Sequence, residues 1–257
     1  MSKNNLMNFA LNMGVVMLES GAETYRVEDS INRILATSKS TDIESFVTPT
    51  GLFVSMSGDD GQHHSYVKRV SKRSIHLSKI EGANDISRRY CQGAITIETA
   101  NHLLNDIDQL TGYNPKVMII GISLASGLFA LVLGGSYGDA IVTLIAGLVL
   151  ALFKSWLSDR DISQFFIDLI GGFLTTITGL TILYLFKIGD NKDIILISSI
   201  MPLVPGVAIT NAIRDTLHGH LVSGSARILD AFIIAASIAT GVGVALYTFS
   251  LIVGGGL

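Results

Sequence analysis

Residues 117–138, "VMIIGISLASGLFALVLGGSYG", run without a single charged side chain. About 20 consecutive apolar residues suffice for a helix to cross the hydrocarbon core of a bilayer, so this stretch decides between a soluble fold and a membrane fold. The pattern recurs further along. Residues 194–213 and 231–257 are also uncharged, and 162–186 carry one charge, Asp168. The run from Asp139 to Phe153 is shorter, but Lys154 can snorkel its ammonium toward the interface. A helical bundle in water would have too little polar surface to cover five such runs. The sequence therefore predicts a membrane α-helical protein with five transmembrane helices, at about 117–137, 139–157, 163–186, 194–213 and 229–253. Together these form a domain over 115–257, preceded by a small α+β cytoplasmic domain over 1–114.

The averages hide this division. Across 257 residues the chain is 49% hydrophobic and 15% charged, with a net charge of −3 and a mean hydropathy of +0.51. Most of its 18 Lys and Arg residues precede Pro115. A weakly acidic balance offers no surface for nucleic acid. The lone Cys91 excludes an internal disulfide and suits a reducing compartment. The N-terminal apolar stretch is broken by Asn4, Asn5, Asn8 and Asn12, and no secretory signal is expected. With the N-terminus inside, Lys154, Arg160, Arg214 and Arg227 fall in cytoplasmic loops, and only Lys187 and Lys192 fall outside. That agrees with the positive-inside rule. The expected location is the inner (cytoplasmic) membrane, with the N-terminus cytoplasmic and, after five spans, the C-terminus outside.

Two features of the membrane half could carry chemistry. The fourth span reads "IILISSIMPLVPGVAITNAIRD" over 194–215. Pro202 and Pro205 each remove a backbone donor, and Gly206 loosens the chain locally. A helix broken in the bilayer frees backbone polar groups, which are tolerated only against protein or a water-filled cavity. Such half-helix ends form ion and substrate sites, but a purely structural kink fits equally. Asn211, Arg214 and Asp215 close the same helix as candidate pathway residues or simple interface anchors. Asp168 is the one acid well inside a span and a functional candidate on that ground. It could carry a proton, pair with Arg214, or lie at the interface near Gln164. Asp139 and Asp230 stand at span starts, where acids meet a helix N-terminus favourably.

In the soluble half, Leu6, Phe9, Ala10, Met13, Val16 and Met17 repeat at helical spacing. "ESFVTPTGLFVSMSG" and "GQHHSYVKRVS" read as two strands joined at "DDG", the first an edge or bulged strand because of Pro49. Two helices follow at about 77–90 and 93–110, with Leu103, Leu104, Ile107 and Leu110 as their core face.

The charge-rich stretch "LESGAETYRVEDSINRIL", 18–35, stands out against this apolar background. Ser20 and Glu23 have the S-x-x-E spacing of a capping box. Val27, Ile31, Ile34 and Leu35 form a buried face. Glu19, Ser20, Gly21, Glu23, Tyr25, Arg26, Glu28 and Arg33 make up the candidate cytoplasmic motif. Its charges either pair among themselves at i, i+3 and i, i+4 or bind a ligand or partner. Enzyme motifs are lacking: there is no P-loop, G-x-S-x-G or H-E-x-x-H. His63 and His64 adjoin on a strand and so point to opposite faces. His218 and His220 have no cysteine or acid cluster to complete a metal site. No enzyme activity, catalytic residue, metal or cofactor is expected.

Three stretches carry a resemblance: "SGAETYRVEDSINRI" at 20–34, "TPTGLFVSM" at 48–56 and "PLVPGVAITNAIRD" at 202–215. Together they resemble the threonine/serine exporter family, and more narrowly the separate large subunit of its split form, over essentially the whole chain. The resemblance implies an inner-membrane exporter of small metabolites, with threonine and serine as founding substrates and the dicarboxylate succinate for the split form. It also implies a second five-span half, which this chain lacks and which a small partner subunit would supply. If both halves have five spans, their topologies would be inverted relative to one another.

The leading expectation is therefore a secondary exporter subunit that moves a small polar or anionic metabolite through a cavity near Pro205 and Gly206. Arg214 and Asn211 would contact a carboxylate, and Asp168 would relay a proton. Expected partners are the small five-span subunit, the lipid bilayer and a small-molecule substrate, with a higher homo-oligomer left open. The alternatives are a membrane-tethered hydrolase and a regulatory scaffold, each acting through residues 1–114.

Overall fold

The computed structural model of the chain describes residues 3–38, 40, 42–57, 62–71, 74–158, 160 and 162–253. They form two compact units. The first comprises residues 1–112 and 207–228; the second comprises 113–206 and 229–257. The return of 207–228 to the first unit is what division of the sequence near residue 114 does not anticipate.

The first unit opens with α1 (Lys3–Glu19) and α2 (Thr24–Ala36), followed by β1 (Ile43–Thr48), β2 (Gly51–Ser57) and β3 (His63–Arg69), then α3 (Leu77–Cys91) and α4 (Ile97–Asp108). The strands form an antiparallel meander, β1-β2-β3. The stretch expected as one strand is two: Thr48 pairs with Gly51 across a two-residue turn at Pro49 and Thr50. Proline fits there because its fixed φ suits a turn position. The expected "DDG" turn lies outside the described residues. Alternation places Leu52, Val54 and Met56 inward. They meet Phe9, Met13 and Met17 of α1 and Val27, Ile31, Ile34 and Leu35 of α2, so the helical faces read from the sequence are the core. Leu104 joins this core and Leu103 and Ile107 pack against it, but Leu110 is exposed, because α4 ends two residues earlier.

The second unit contains α5 (Pro115–Val132), α6 (Tyr137–Leu157), α7 (Gln164–Thr181) with a π-helical extension over Ile182–Phe186, and α8 (Lys192–Ile200) with a 3₁₀ turn at Met201–Leu203. α9 (Gly206–Leu217) and α10 (Leu221–Val253) follow. Among the described residues, four helices are long and apolar enough to cross a membrane: Pro115–Val132, Tyr137–Leu157, Gln164–Phe186 and Leu221–Val253. The pair Lys192–Leu203 and Gly206–Leu217, bent by 65°, makes up to five if it counts as one span. The break falls where Pro202 and Pro205 interrupt the backbone ladder.

Small residues let these helices touch. A Cβ on Gly147 would stand 2.7 Å from the Ser126 Cβ. One on Gly172 would stand 2.9 Å from the Ile238 carbonyl oxygen. Such close approach is how helices associate in lipid, where no hydrophobic force drives them together. α6 begins with a complete capping box: Asp139 N–H donates to Ser136 Oγ at 3.1 Å, and Ser136 N–H donates to Asp139 Oδ2 at 2.8 Å. Asp139 Oδ1 also accepts from the N–H groups of Asp190 and Asn191. The acid expected only to favour a helix start thus ties the loop before α8 to the start of α6.

Candidate functional site

The site is built where α1 ends and α2 begins. Ser20 does not cap α2; its Oγ donates back to the Val16 carbonyl at 2.6 Å. Gly21 at φ +88° donates to Leu18 O, and Ala22 donates to Met17 O. This pair of bonds closes a helix C-terminus around a left-handed residue, a position glycine takes without steric cost. The S-x-x-E spacing therefore spans the end of one helix and the start of the next, and the expected capping box is absent at this position. Glu23 occupies the N-cap position of α2 without a side-chain cap bond.

The missing cap comes from far along the chain. Asp215 of α9, fully buried, accepts the Thr24 N–H through Oδ1 at 3.0 Å. Its Oδ2 lies 3.0 Å from Nε of Arg227, which is itself nearly buried. Arg227 Nη2 donates to the Ala22 carbonyl at 2.7 Å, and Asn211 Nδ2 donates to the Gly21 carbonyl at 2.9 Å. Arg214 Nη1 reaches Glu23 Oε1 at 2.6 Å. Ser223 Oγ donates to the Val47 carbonyl at 3.2 Å. The Tyr25 ring stacks on His218 with centroids 4.0 Å apart and planes within 3°. Residues 21–25 are thus held by α9, the turn after it and the start of α10.

The charges in this contact are arranged unevenly. Glu23 is shared: Arg26 Nε lies 3.3 Å from its Oε2 while Arg214 takes Oε1. Burial works to raise the Glu23 carboxyl. Its own backbone N–H, the Arg214 hydrogen bond and the charges of Arg26 and Arg214 outweigh burial and hold it below the ordinary carboxylate range. Glu28 behaves in the opposite way. Burial raises it, and His220 at 3.9 Å and the Val47 N–H oppose that only in part. Arg33 pairs with Asp29 on the exposed side of α2, and Glu19 contributes its backbone carbonyl to Ser74.

Of the two groups that the sequence suggests separately, part of the 19–33 motif therefore meets the second: Gly21, Glu23 and the neighbouring Thr24 touch Asn211, Arg214 and Asp215, while Arg33 pairs with Asp29 and Glu19 with Ser74. Arg214 takes Glu23 as its carboxylate, whereas the sequence leaves pairing with Asp168 as one of several alternatives. Arg227, Tyr25–His218 stacking and Ser223 escape sequence reasoning, because their partners lie far apart in the chain and no local spacing signals them. Asp168, Pro205 and Gly206 belong to the other unit. There Asp168 is buried and accepts from Gln164 Nε2 at 2.8 Å, while its Oδ2 has no hydrogen-bond partner among the described residues. Gly206 N–H donates to the Val204 carbonyl at 2.8 Å, tightening the turn at the break. Among the described residues, no three His, Cys, Asp or Glu side chains gather as metal ligands would.

These helices are those of a multi-pass membrane protein with a proline-broken helix pair. The comparisons make it specific. A family described as "Putative threonine/serine exporter" matches residues 8–249, and the chain belongs to that family. It is 22% identical over 245 residues to the "Threonine/serine exporter" of Corynebacterium glutamicum, covering 93% of this chain and 50% of that protein. It is 24% identical over 236 residues to the "Probable succinate transporter subunit YjjP" of Klebsiella aerogenes, covering 91% of this chain and 90% of that protein. Its Escherichia coli K12 counterpart of the same description is 23% identical, at 93% and 92% coverage. The chain thus spans about half the length of the exporter it matches. No solved structure matches it.

Proposed function

We propose that this chain is one subunit of a secondary exporter in the inner (cytoplasmic) membrane, moving small carboxylate-bearing metabolites outward together with a separate small five-span subunit. The observation that carries the reading is the grip of residues 21–25 on α9, directly after the Pro202–Pro205 break. A broken helix whose distal half is held by a polar, arginine-bearing site has the parts of a gated pathway: free backbone groups at the break, and cations beyond it. Asn211 and Asp215 act as positioning residues, because their polar atoms are spent on Gly21 and Thr24. Arg214 is the group left to face substrate, and Asp168, with an unpartnered buried oxygen, relays a proton. Residues 1–114 lie in the cytoplasm with the N-terminus, and the C-terminus lies outside. The names of the relatives support both amino acid and dicarboxylate substrates, and the word "subunit" in two of them supports a partner.

The test is export of L-threonine, L-serine and succinate from cells carrying this chain with and without the partner. Extracellular accumulation that requires both is expected, and none for any of the three refutes the reading. Asp168→Asn is expected to uncouple export from the proton gradient; unchanged gradient dependence removes Asp168 as the relay.

A further inference from the structure

Arg26 and Arg214 converge on one carboxylate. Glu23 is inside, its side chain 7% exposed, and the two guanidiniums are outside, 39% and 51% exposed. Each guanidinium has five N–H donors. Arg26 directs two of its nitrogens at Glu23, Nε and Nη2, and Arg214 directs one, Nη1. Two positive charges thus share one negative charge, with forked donors left toward solvent. The pair also stands at the N-terminal turn of α2, where the helix dipole favours anions.

We infer that Arg26 and Arg214 receive the carboxylate of a small metabolite by exchange with Glu23. Glu23 is an internal occupant of a carboxylate site: it keeps the guanidiniums oriented when the site is empty and yields them to an incoming carboxylate, which a planar guanidinium takes with two parallel bonds. The exchange has a mechanical consequence. The Glu23–Arg214 contact is one of the ties between residues 21–25 and α9, so an arriving carboxylate removes one tie. The Asp215–Thr24, Arg227–Ala22 and Asn211–Gly21 bonds remain. Ligand binding and the hold on α9 are then linked reciprocally. This inference rests on the transport reading for the identity of the ligand as a carboxylate, and its test is separable from that reading.

Purified full chain is titrated with succinate and with L-threonine at up to millimolar concentration, by calorimetry. At least one of the two binds the wild type, and which one identifies the carboxylate source. Arg26→Gln and Arg214→Gln each weaken that ligand about tenfold or more, while melting temperatures stay within a few degrees of wild type. Arg26→Lys and Arg214→Lys, which keep the charge but lose the fork, recover only part of the affinity. If succinate is the ligand, Glu23→Gln tightens it about tenfold, the sign opposite to that of a purely structural salt bridge. Wild-type affinity in the folded arginine variants, absence of binding by both probes, or weakened succinate binding in Glu23→Gln each overturns the exchange. Export is scored separately: export with an unchanged KM in the arginine variants leaves the transporter standing and removes this site, whereas absence of export removes the transporter reading alone.

Discussion

The Asp215–Arg227 pair gives the sharpest test of the contact between α2 and α9. Asp215 is fully buried, caps Thr24 N–H and pairs with an arginine whose side chain is 12% exposed. Asp215→Ala removes the cap, a loss of about 0.5–2 kcal/mol, and strands a nearly buried guanidinium, for which breaking one side of a buried pair costs about 3–5 kcal/mol. The two terms overlap because one carboxylate serves both, so about 3–4 kcal/mol is expected. Asp215→Asn keeps an acceptor for Thr24 and loses only the charge, so it should cost less. Removing both partners leaves no stranded charge, so Asp215→Ala with Arg227→Ala should cost well under the sum of the singles. The assay is hydrogen–deuterium exchange of the detergent-solubilised full chain, read on peptides covering residues 20–30. A local loss of about 3 kcal/mol is on the order of a hundredfold faster exchange there. Protection of residues 20–30 within threefold of wild type in Asp215→Ala, or additive single variants, would show that the contact does not hold α2 in place.

Other expectations follow from individual groups. Glu28 has its carboxyl raised by burial above its ordinary value of 4.5, so its ionised form destabilises the fold at neutral pH, and that cost fades as pH falls through the raised value. Glu28→Gln, which can still accept from Val47 N–H, should raise the melting temperature at pH 8 by a few degrees, for about 1 kcal/mol, and change it little near pH 4. A variant that lowers the melting temperature at pH 8 contradicts this. A Cβ on Gly241 would collide with the Leu169 carbonyl oxygen, whereas one on Gly243 meets open space. Gly241→Ala should therefore cost about 1–3 kcal/mol by overpacking and Gly243→Ala nothing; equal melting temperatures for the two would refute the α7–α10 crossing. Burial also pushes the Cys91 thiol up, so maleimide labelling of the folded chain at pH 7.5 should run well below the rate for a free cysteine and recover on unfolding.

What could be read from the sequence was local. The faces of α1 and α2 repeat every three to four residues, and each of Phe9, Met13, Met17, Val27, Ile31 and Ile34 is buried where that period puts it. The apolar runs marked the spans because charge is costly in lipid. The sequence is ambiguous where one pattern serves two structures. Ser20 and Glu23 have cap spacing, yet Gly21 between them closes α1, and only a left-handed backbone tells the end of one helix from the start of the next. Pro49 interrupts a run that alternates evenly on both sides, so a turn between strands reads as a blemish in one strand. The site itself was visible as residue types but not as an arrangement. Arg214, Asp215 and Arg227 follow Glu23, Thr24 and Ala22 by about two hundred residues, and spacing carries no information across that distance.

α9 explains why the two most distinctive stretches of the sequence depend on each other. Its buried side presents Asn211, Ala212 and Asp215, while Val207, Ile209, Ile213 and Leu217 are exposed. One face is polar and fully engaged, and the other is apolar and unengaged among the described residues. The buried aspartate and asparagine of this twelve-residue helix would each carry a desolvation cost of several kcal/mol if left without partners. Residues 21–24 remove that cost by offering a free helix N–H and two loop carbonyls, groups that are orphaned wherever one helix ends and another begins. The helix junction needs an acceptor for Thr24 and donors for Gly21 and Ala22; α9 and α10 need partners for Asp215, Asn211 and Arg227. Each side satisfies what the other leaves unpaired. Asp29 and Arg33 pair on the exposed side of α2, but Glu23, Arg26 and Glu28 are neither a cap nor surface decoration. They belong to a polar contact whose other half lies just past the broken helix, and Arg26 and Arg214 face outward from the shared Glu23.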